Sequence, residues 1–252
     1  MDVLTDRDFR AGAGLASRAA ERCAVRRALV ALGQAEPLPQ SDAELTARLG
    51  RPGTAMVVGT SPRNVSHVAL DLAAWGLSMI LLDTGARHLS SDGALPARRR
   101  VLDEAAARLG TSLQAATPEQ LSEMAGGPDP VVSRCARHVI TERSRVAAAV
   151  QVLTIGDVGA LGELMTASHS SLSRDLRTTT RPVDRTVEAA LTAGAVGVRM
   201  TGAGLGGSLL VLVPTNLEKE VLVAVNEAAA HGGFLTPRPT PLTLAGRSWV
   251  VS

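Results

Sequence analysis

Residues 197–208 read Gly-Val-Arg-Met-Thr-Gly-Ala-Gly-Leu-Gly-Gly-Ser, and this stretch says more about the fold than any other. The apolar residues before it predict the strand Val196–Thr201, and those after it predict the strand Ser208–Pro214. Four glycines within six residues allow a tight turn between the strands, with backbone N–H groups facing outward. By itself such a loop is only weakly diagnostic, because a plain tight hairpin has the same glycine pattern.

The rest of the chain alternates between strand-like and helical patterns. Several strands are hairpin neighbours, which favours an α+β fold over a doubly wound α/β fold. A polar loop is predicted at Ser173–Pro182. Further strands are predicted at Thr54–Gly59, Val65–Leu72, Leu77–Asp83 and, at a sheet edge, Trp249–Val251. Helices are predicted at 12–32, Asp42–Leu49, Leu95–Leu109, Pro118–Ala125, Val131–Leu153, Val158–Ser171, Val183–Ala193 and Leu217–His231.

Composition excludes some functions. The 252 residues are 45% hydrophobic, which is enough for a sizeable core, and the net charge of +2 gives no electrostatic case for nucleic acid or a membrane surface. Tyrosine is absent, and there are only two Phe and two Trp residues, so aromatic stacking platforms are nearly ruled out. The 25 arginines against one lysine, with 40 alanines, are typical of GC-rich codon usage.

Cysteine usage and the first residues indicate a cytoplasmic protein. Cys23 and Cys135 lie far apart without metal-ligand spacing, so we expect two reduced thiols and no metal site. No run approaches the ~20 apolar residues of a membrane helix. The acidic start at Met1–Asp6 lacks the basic and apolar regions of a signal peptide.

The glycine-rich stretch and four others together resemble one family. Residues 197–208 resemble the third signature motif of the GHMP small-molecule kinases, and specifically of the galactokinases. The other matching segments are Leu82–His88 with Arg98-Arg99, Arg134–Glu142, Gly162–Met165 and Ser168–Leu172. The resemblance implies a GHMP-kinase-like α+β fold. Residues 1–90 would be an incomplete N-terminal α/β domain, and residues 91–252 a ferredoxin-like C-terminal domain.

In that family a glycine-serine loop at a helix N-terminus holds the phosphates of ATP, where backbone N–H groups and the helix dipole favour anions. The counterpart here is Gly12–Ala20, with Gly12, Gly14 and Ser17 kept. Ala16 and Arg18 stand where the family has serines, and the serine replaced by Arg18 is the one that usually ligates magnesium. The resemblance implies ATP and magnesium as cofactors, but the departures predict none. Arg18 is otherwise one member of a solvated stripe with Arg22 and Arg26.

Three further departures point the same way. No Gly-Glu-His-Thr-Asp motif for the sugar hydroxyls precedes Gly12, so the N-terminal domain is expected to be truncated. The family's catalytic aspartate lies in a Met-Asp-Gln segment, and the interval Gln34–Gly53 contains none. Two tyrosines that the family places near the sugar are Leu95 and Leu176 here.

Several polar residues remain as candidates. Asp83, Arg87 and His88 follow a buried strand, where they would face the family's cleft or simply pair with one another. His169 ends a helix beside the loop that contains Asp175, which by resemblance borders the sugar site. The candidates in the glycine-rich turn are Thr201, Gly202, Gly204, Gly206 and Gly207.

Other polar residues have plainer readings. Arg98 and Arg99 open a helix, and we expect them to be solvated rather than part of a site. His138 and Glu142 are four residues apart on one helical face, as a structural pair would be, and no third ligand supports a metal.

Three functions follow from this pattern. The first is a repurposed protein whose cleft takes a small, rather apolar metabolite, with cofactor-free cyclisation or isomerisation in secondary metabolism as the candidate reaction. Asp83, Arg87, His88 and His169 would be the catalytic residues. The second is a non-catalytic pseudokinase regulator, expected to form a homo-oligomer, such as a dimer, that covers the face left by the missing domain. The third is a residual sugar kinase completed by a second chain.

Overall fold

The computed structural model describes residues 49–58, 64–86, 94–125, 127, 129–202 and 207–242, with the side chains of residues 94 and 95 excepted. Contacts divide the chain into two compact units. The first is Met1–Asp71 with Thr243–Ser252, and the second is Leu72–Leu242. The domain boundary predicted at residue 90 follows from the family resemblance, whereas the two units above are defined by contacts between residues. The boundary at residue 90 therefore stays a prediction.

In the first unit, two strands form an antiparallel hairpin. Strand β1 (Thr54–Val58) pairs with β2 (Val65–Ala69) in a register that places Thr54 opposite Ala69. His67 anchors the hairpin, because its ring nitrogen lies 2.9 Å from the carbonyl oxygen of Leu49.

The second unit is built on a four-stranded antiparallel sheet. Its strands are β3 (Leu77–Asp83), β4 (Gly197–Met200), β5 (Ser208–Pro214) and β6 (Arg238–Pro241), in the order β4-β5-β3-β6. The central pair β3–β5 is mostly apolar, as expected for strands covered by other elements. Its register places Asp83 opposite Ser208.

One face of the sheet forms the main core with two helices. Ile80, Leu82, Val198, Leu209 and Val211 are all at most 3% exposed. They pack against α5 (Arg181–Thr192) and α6 (Glu218–Gly232), which contribute Val183, Val187, Ala190, Val221 and Val225 to this core.

A second core lies among three other helices. These are α1 (Ala94–Leu109), α2 (Pro118–Ala125) and α3 (Pro130–Ile155). Helix α3 begins where the Asp129 carboxylate accepts the N–H groups of Val131 and Val132, and it ends at Gly156 with φ +74°. The cluster consists of Ala105, Leu113, Ala116, Val132, Ala136 and Ile140.

Helix α4 (Val158–Ser171) covers the open edge of the sheet at β4. The outward N–H of Val198 donates to Thr166 Oγ1, and that of Met200 donates to His169 Nδ1, both at 3.4 Å. Gly162 makes this approach possible, because a Cβ on it would collide with the backbone of Val196. Helix α4 therefore blocks the strand edge against further pairing.

The opposite edge, β6, was not predicted from the sequence. Its residues Arg238, Pro239, Thr240 and Pro241 are all exposed, and prolines usually argue against a strand. They are compatible here because Leu242 donates its N–H to Met79, so that the N–H groups of alternate residues face β3 and the prolines occupy the outward positions. The edge strand predicted at Trp249–Val251 lies outside the described residues.

The predicted polar loop at Ser173–Pro182 is wrong at its start. Leu172–Leu176 form a π-helical turn that continues α4, because the buried Leu172 and Leu176 anchor the segment to the core. The α+β class is confirmed. The remaining strands and helices in the described part lie where the sequence predicts them, within a few residues at each end.

Candidate ligand cavity

A cavity of about 700 Å³ lies against the first turns of α1. This volume is in the usual range for small-molecule sites. Helix α1 forms one wall, and the segment just after α4 contributes the other described residues. The described lining residues are Pro96, Arg98, Arg99, Arg100, Leu102, Asp103, Leu176 and Thr178.

The backbone of the second wall is unusual. Leu176 ends the π-helical turn, and the next residue, Arg177, has φ +53° and ψ +53°, the only positive φ of a described residue other than glycine. A side chain in this left-handed region costs of order 1 kcal/mol, and such strain often accompanies a functional position. Arg177 thereby brings Leu176 and Thr178 to the same cavity.

Arg98 connects the cavity to a buried thiol. Burial raises the pKa of Cys135, although the nearby charges of Arg98 and Arg134 act to lower it. Cys135 is 1% exposed, so the thiol stays protonated and is a poor nucleophile. Arg134 Nε is buried without a hydrogen-bond partner among the described residues. Two guanidinium groups therefore lie near Cys135.

His138, Ser171 and Asp175 form a chain of hydrogen bonds in which His138 and Ser171 are buried and Asp175 is partly exposed. Ser171 Oγ donates to Asp175 Oδ2 at 2.9 Å, so it accepts from the protonated Nδ1 of His138 at 3.0 Å. Arg137 Nε lies 3.5 Å from the other carboxylate oxygen of Asp175. In a nucleophilic triad the serine would donate to the histidine. The reverse direction here identifies a structural chain.

A second network surrounds the carboxylate of Glu142 on α3. Ser168 Oγ donates to Glu142 Oε1 at 2.6 Å, Arg145 Nε donates to Oε2 at 2.8 Å, and Arg199 Nε donates to Ser168 Oγ at 2.7 Å. Burial would raise the pKa of Glu142, but these donors and the positive charge of Arg199 outweigh it and hold the pKa below the usual value. The network ties α3 and α4 to β4.

His169 is 4% exposed and uses both ring nitrogens. Its Nδ1 accepts from the Met200 N–H, so Nε2 carries the proton and donates to Asp184 Oδ1 at 3.3 Å. The Asp184 carboxylate also accepts from Ser173 and Thr179. In this arrangement His169 serves the packing of β4 and α5, and its catalytic role stays a prediction.

The sheet brings the other candidates together where β3 ends. Asp83 Oδ1 accepts the N–H of Gly85, and Thr84 donates through both its N–H and its hydroxyl to the carbonyl of Gly207. Gly207 must be glycine, because a Cβ would lie 2.9 Å from Ala86 N and from Thr84 Oγ1. Thr201 joins this end of the sheet through its N–H to Ser208 O.

The predicted site residues therefore separate into groups. Asp83, Thr201, Gly202 and Gly207 lie at one end of the sheet, whereas Leu176 lines the cavity on α1 and Asp175 belongs to the hydrogen-bonded chain. Leu95 lies in α1, but its side chain is outside the described part. The remaining predicted residues also lie outside the described part: Gly12, Gly14, Ser17, Arg18, Arg87, His88, Gly204 and Gly206.

Sequence reasoning missed most of the cavity. The sequence predicts solvated side chains for Arg98 and Arg99, and it yields no prediction for Pro96, Arg100 or Thr178. The spacing of Arg98 and Leu102, one helical turn apart, was the available signal for a shared face. In the described part no three His, Cys, Asp or Glu side chains are grouped as a metal site would require, and no helix is long and apolar enough to span a membrane.

Comparison with known proteins finds relatives in the same family that the sequence motifs resemble. The family profile described as GHMP kinases C terminal matches residues 146–231. Galactokinase from Mycobacterium tuberculosis is 39% identical over 194 residues, which are 77% of this chain and 53% of that protein. Galactokinase from Streptomyces coelicolor is 36% identical over 189 residues, which are 74% of this chain and 49% of that protein. The chain thus spans about half the length of the curated relatives it matches.

Solved structures agree on the fold. Lactococcus lactis galactokinase, solved as a complex with galactose, superposes with a TM-score of 0.86 at 21% identity and covers 95% of this chain and 68% of that one. Homoserine kinase from Cytophaga hutchinsonii gives a TM-score of 0.55 at 16% identity, over 96% of this chain and 69% of that one.

Proposed function

We propose that this chain, a galactokinase-like member of the GHMP kinase superfamily, binds a small molecule but does not transfer phosphoryl groups. The observation that carries the proposal is the cavity on α1. It is large enough for a metabolite, and its wall includes Leu176 where the resemblance expects a tyrosine.

The cavity wall includes apolar surface that a polyol such as galactose would leave unused. A sugar is recognised through several hydrogen bonds to its hydroxyl groups, and buried polar groups left unpaired are costly. Leu102, Leu176 and Pro96 offer apolar surface, while Thr178 is the one neutral polar side chain among the described lining residues. This wall supports a ligand with an apolar part.

The sequence supports the loss of phosphoryl transfer. By resemblance, Arg18 replaces the serine that would ligate magnesium and places a competing cation in the phosphate loop. No Met-Asp-Gln segment lies between that loop and β1. Magnesium neutralises charge on the transferred phosphate, so a loop that repels the metal would lose most of its catalytic power.

Binding is better supported than catalysis. Two of the described groups that could act as acid or base are held in structural bonds: His169 by Met200 and Asp184, and Asp175 by Ser171 and Arg137. Cofactor-free cyclisation or isomerisation remains the enzymatic form of the proposal. It would need an acid or base that reaches the ligand, and Asp103 is the carboxylic residue among the described lining residues.

One observation favours a second function, sugar phosphorylation. Relatives that are 39% identical over 194 residues are galactokinases. The two functions differ in one measurable property, which is the use of ATP.

The experiment measures ADP release and thermal unfolding with purified protein. We expect no ADP release with galactose, ATP and Mg²⁺, and no magnesium-dependent rise in Tm with ATP, since stabilisation follows ligand occupancy. An Arg18→Ser variant serves as a control, and we expect it to remain inactive because the Met-Asp-Gln segment is also missing. Galactose-dependent ADP release by the wild-type protein would replace the proposal with the second function.

A further inference from the structure

The charge of the cavity wall defines the class of ligand it can hold. Three consecutive arginines, Arg98, Arg99 and Arg100, line the cavity, and Asp103 is the only acidic residue among its described lining residues. Arginines this close together repel one another unless anions lie among them. None of the three forms an ion pair with a carboxylate of the described part, although Arg108 on the same helix pairs with Glu104 and Asp129.

Arg98 is the central member of this group. It is half-buried, whereas Arg99 and Arg100 are exposed, so its charge is the least screened by water. Its described neighbour is the Cys135 thiol, which is a weak hydrogen-bond acceptor. Among the described residues no carboxylate pairs with this guanidinium, whose five N–H donors have the planar arrangement that matches carboxylate and phosphate oxygens.

The remaining lining residues supply an apolar surface beside these cations. Leu102 lies one helical turn after Arg98, and Leu176 faces α1 from the second wall. A ligand that satisfies both parts carries an oxyanion next to a hydrocarbon body. A neutral sugar would leave the arginines without counter-ions, and a bare hydrocarbon would desolvate them at a cost.

We propose that the cavity binds a small organic oxyanion, a carboxylate or a phosphate monoester, with Arg98 as its main contact and Leu102 and Leu176 against its apolar part. This inference rests on the proposed function for the location of the site and adds the chemical class of the ligand. A carboxylate and a phosphate monoester share the planar, bidentate pairing with arginine, and the choice of probes separates them.

The test compares three probes that share a phenyl group: phenyl phosphate, phenylacetate and the neutral methyl phenylacetate. Binding to the full chain is measured by calorimetry and by the rise in Tm. We expect at least one of the two anions to bind at least ~10-fold more tightly than the ester, because hydrogen bonds to charged groups are the stronger ones. We also expect the affinity to fall as the salt concentration is raised.

Two variants test the position. Arg98→Gln should weaken binding of the anion ~10-fold, whereas Arg108→Gln, which removes the same charge from the same helix outside the cavity, should change it less than ~2-fold. Pro96→Asp adds a carboxylate to the exposed rim and should also weaken binding without disturbing the core.

Equal affinity for the ester and the anions, binding of no anion, or an Arg98→Gln variant that binds like the wild type would each overturn the inference. The two proposals fail differently. Galactose-dependent ADP release would refute the proposed function, whereas tight binding of the ester alone would refute only the anionic class.

Discussion

His138 shows how one buried side chain links sequence, packing and pH. It is 9% exposed on α3, and its Nδ1 donates to Ser171, which in turn donates to Asp175. Burial is the main reason that the pKa of His138 lies below its usual value of 6.5, although the nearby Glu142 carboxylate acts to raise it. The neutral ring is the form that fits the folded state.

This arrangement predicts a loss of stability in mild acid. Below pH ~6.5 the unfolded chain takes up a proton at His138 and the folded chain does not, so the free energy of unfolding falls by up to about 1.4 kcal/mol per pH unit. The loss continues until the pH reaches the lowered pKa of the folded state. His138→Asn keeps a donor for Ser171 and removes the titration, so it should flatten this part of the curve in urea unfolding between pH 5 and 7.5.

The exposed His231 on α6 provides the control, since its ring bonds the carbonyl of Glu227 on its own helix and belongs to neither core cluster of the described residues. His231→Asn should leave the curve unchanged. An unaltered slope in His138→Asn would show that another group causes the acid sensitivity. Glu142 does not affect the stability between pH 5 and 7.5, because its pKa is held below 4.5. The stability that its ionised carboxylate provides is lost only as the pH falls below that value.

At the scale of elements, the contact between α4 and β4 depends on the absence of a side chain. Gly162 on α4 touches Gly197 at the start of β4, and a Cβ at either position would collide with the other element. This close approach lets Thr166 and His169 reach the N–H groups of the strand edge. A helix that sat further away would leave these donors unpaired.

Gly162→Ala should therefore lower the free energy of unfolding by about 1–3 kcal/mol, as overpacking usually does. The matched control is Gly159→Ala, three residues earlier on the exposed side of the same helix, where a Cβ meets only Asp157 Oδ1 at 3.6 Å. Alanine favours a helix over glycine by up to about 1 kcal/mol, so this variant should be unchanged or more stable. Equal stabilities in chemical denaturation would argue against the close contact.

The elements also show where sequence patterns are ambiguous. The segment 172–176 is rich in polar residues and resembles a loop, yet Leu172 and Leu176 are both buried and hold it as a π-helical turn. Strand β6 has the composition of a turn, and it becomes a strand only because β3 offers a free edge with the right register. Both errors arise because a distant element supplies the decisive contacts.

At the scale of the whole molecule, the two core clusters lie entirely within Leu72–Leu242. We therefore expect a chain of these residues to fold without the rest, because burial of apolar surface is the main stabilising contribution. Trp75 is its only tryptophan, which makes fluorescence a single-site probe of its unfolding. One cooperative transition, coincident in fluorescence and circular dichroism, is the expected result.

A non-cooperative transition, or circular dichroism without helix, would mean that residues outside this unit complete the core.

Self-association of the full chain is a separate question. The homo-oligomer expected from the sequence stays a prediction, which light scattering after size-exclusion chromatography can test.

The sequence by itself determined the fold class, nearly all of the described helices and strands, and the relationship to the galactokinases. These features depend on local periodicity and on short motifs such as residues 197–208, which are visible along the chain. Only the tertiary structure decided which polar residues meet. It placed Arg98 and Leu176 on one cavity and joined His169 to Met200 and Asp184 in the packing of the sheet edge. The physical reason is that a side chain's role depends on burial and on partners distant in sequence, and neither can be read from the neighbours of a residue along the chain.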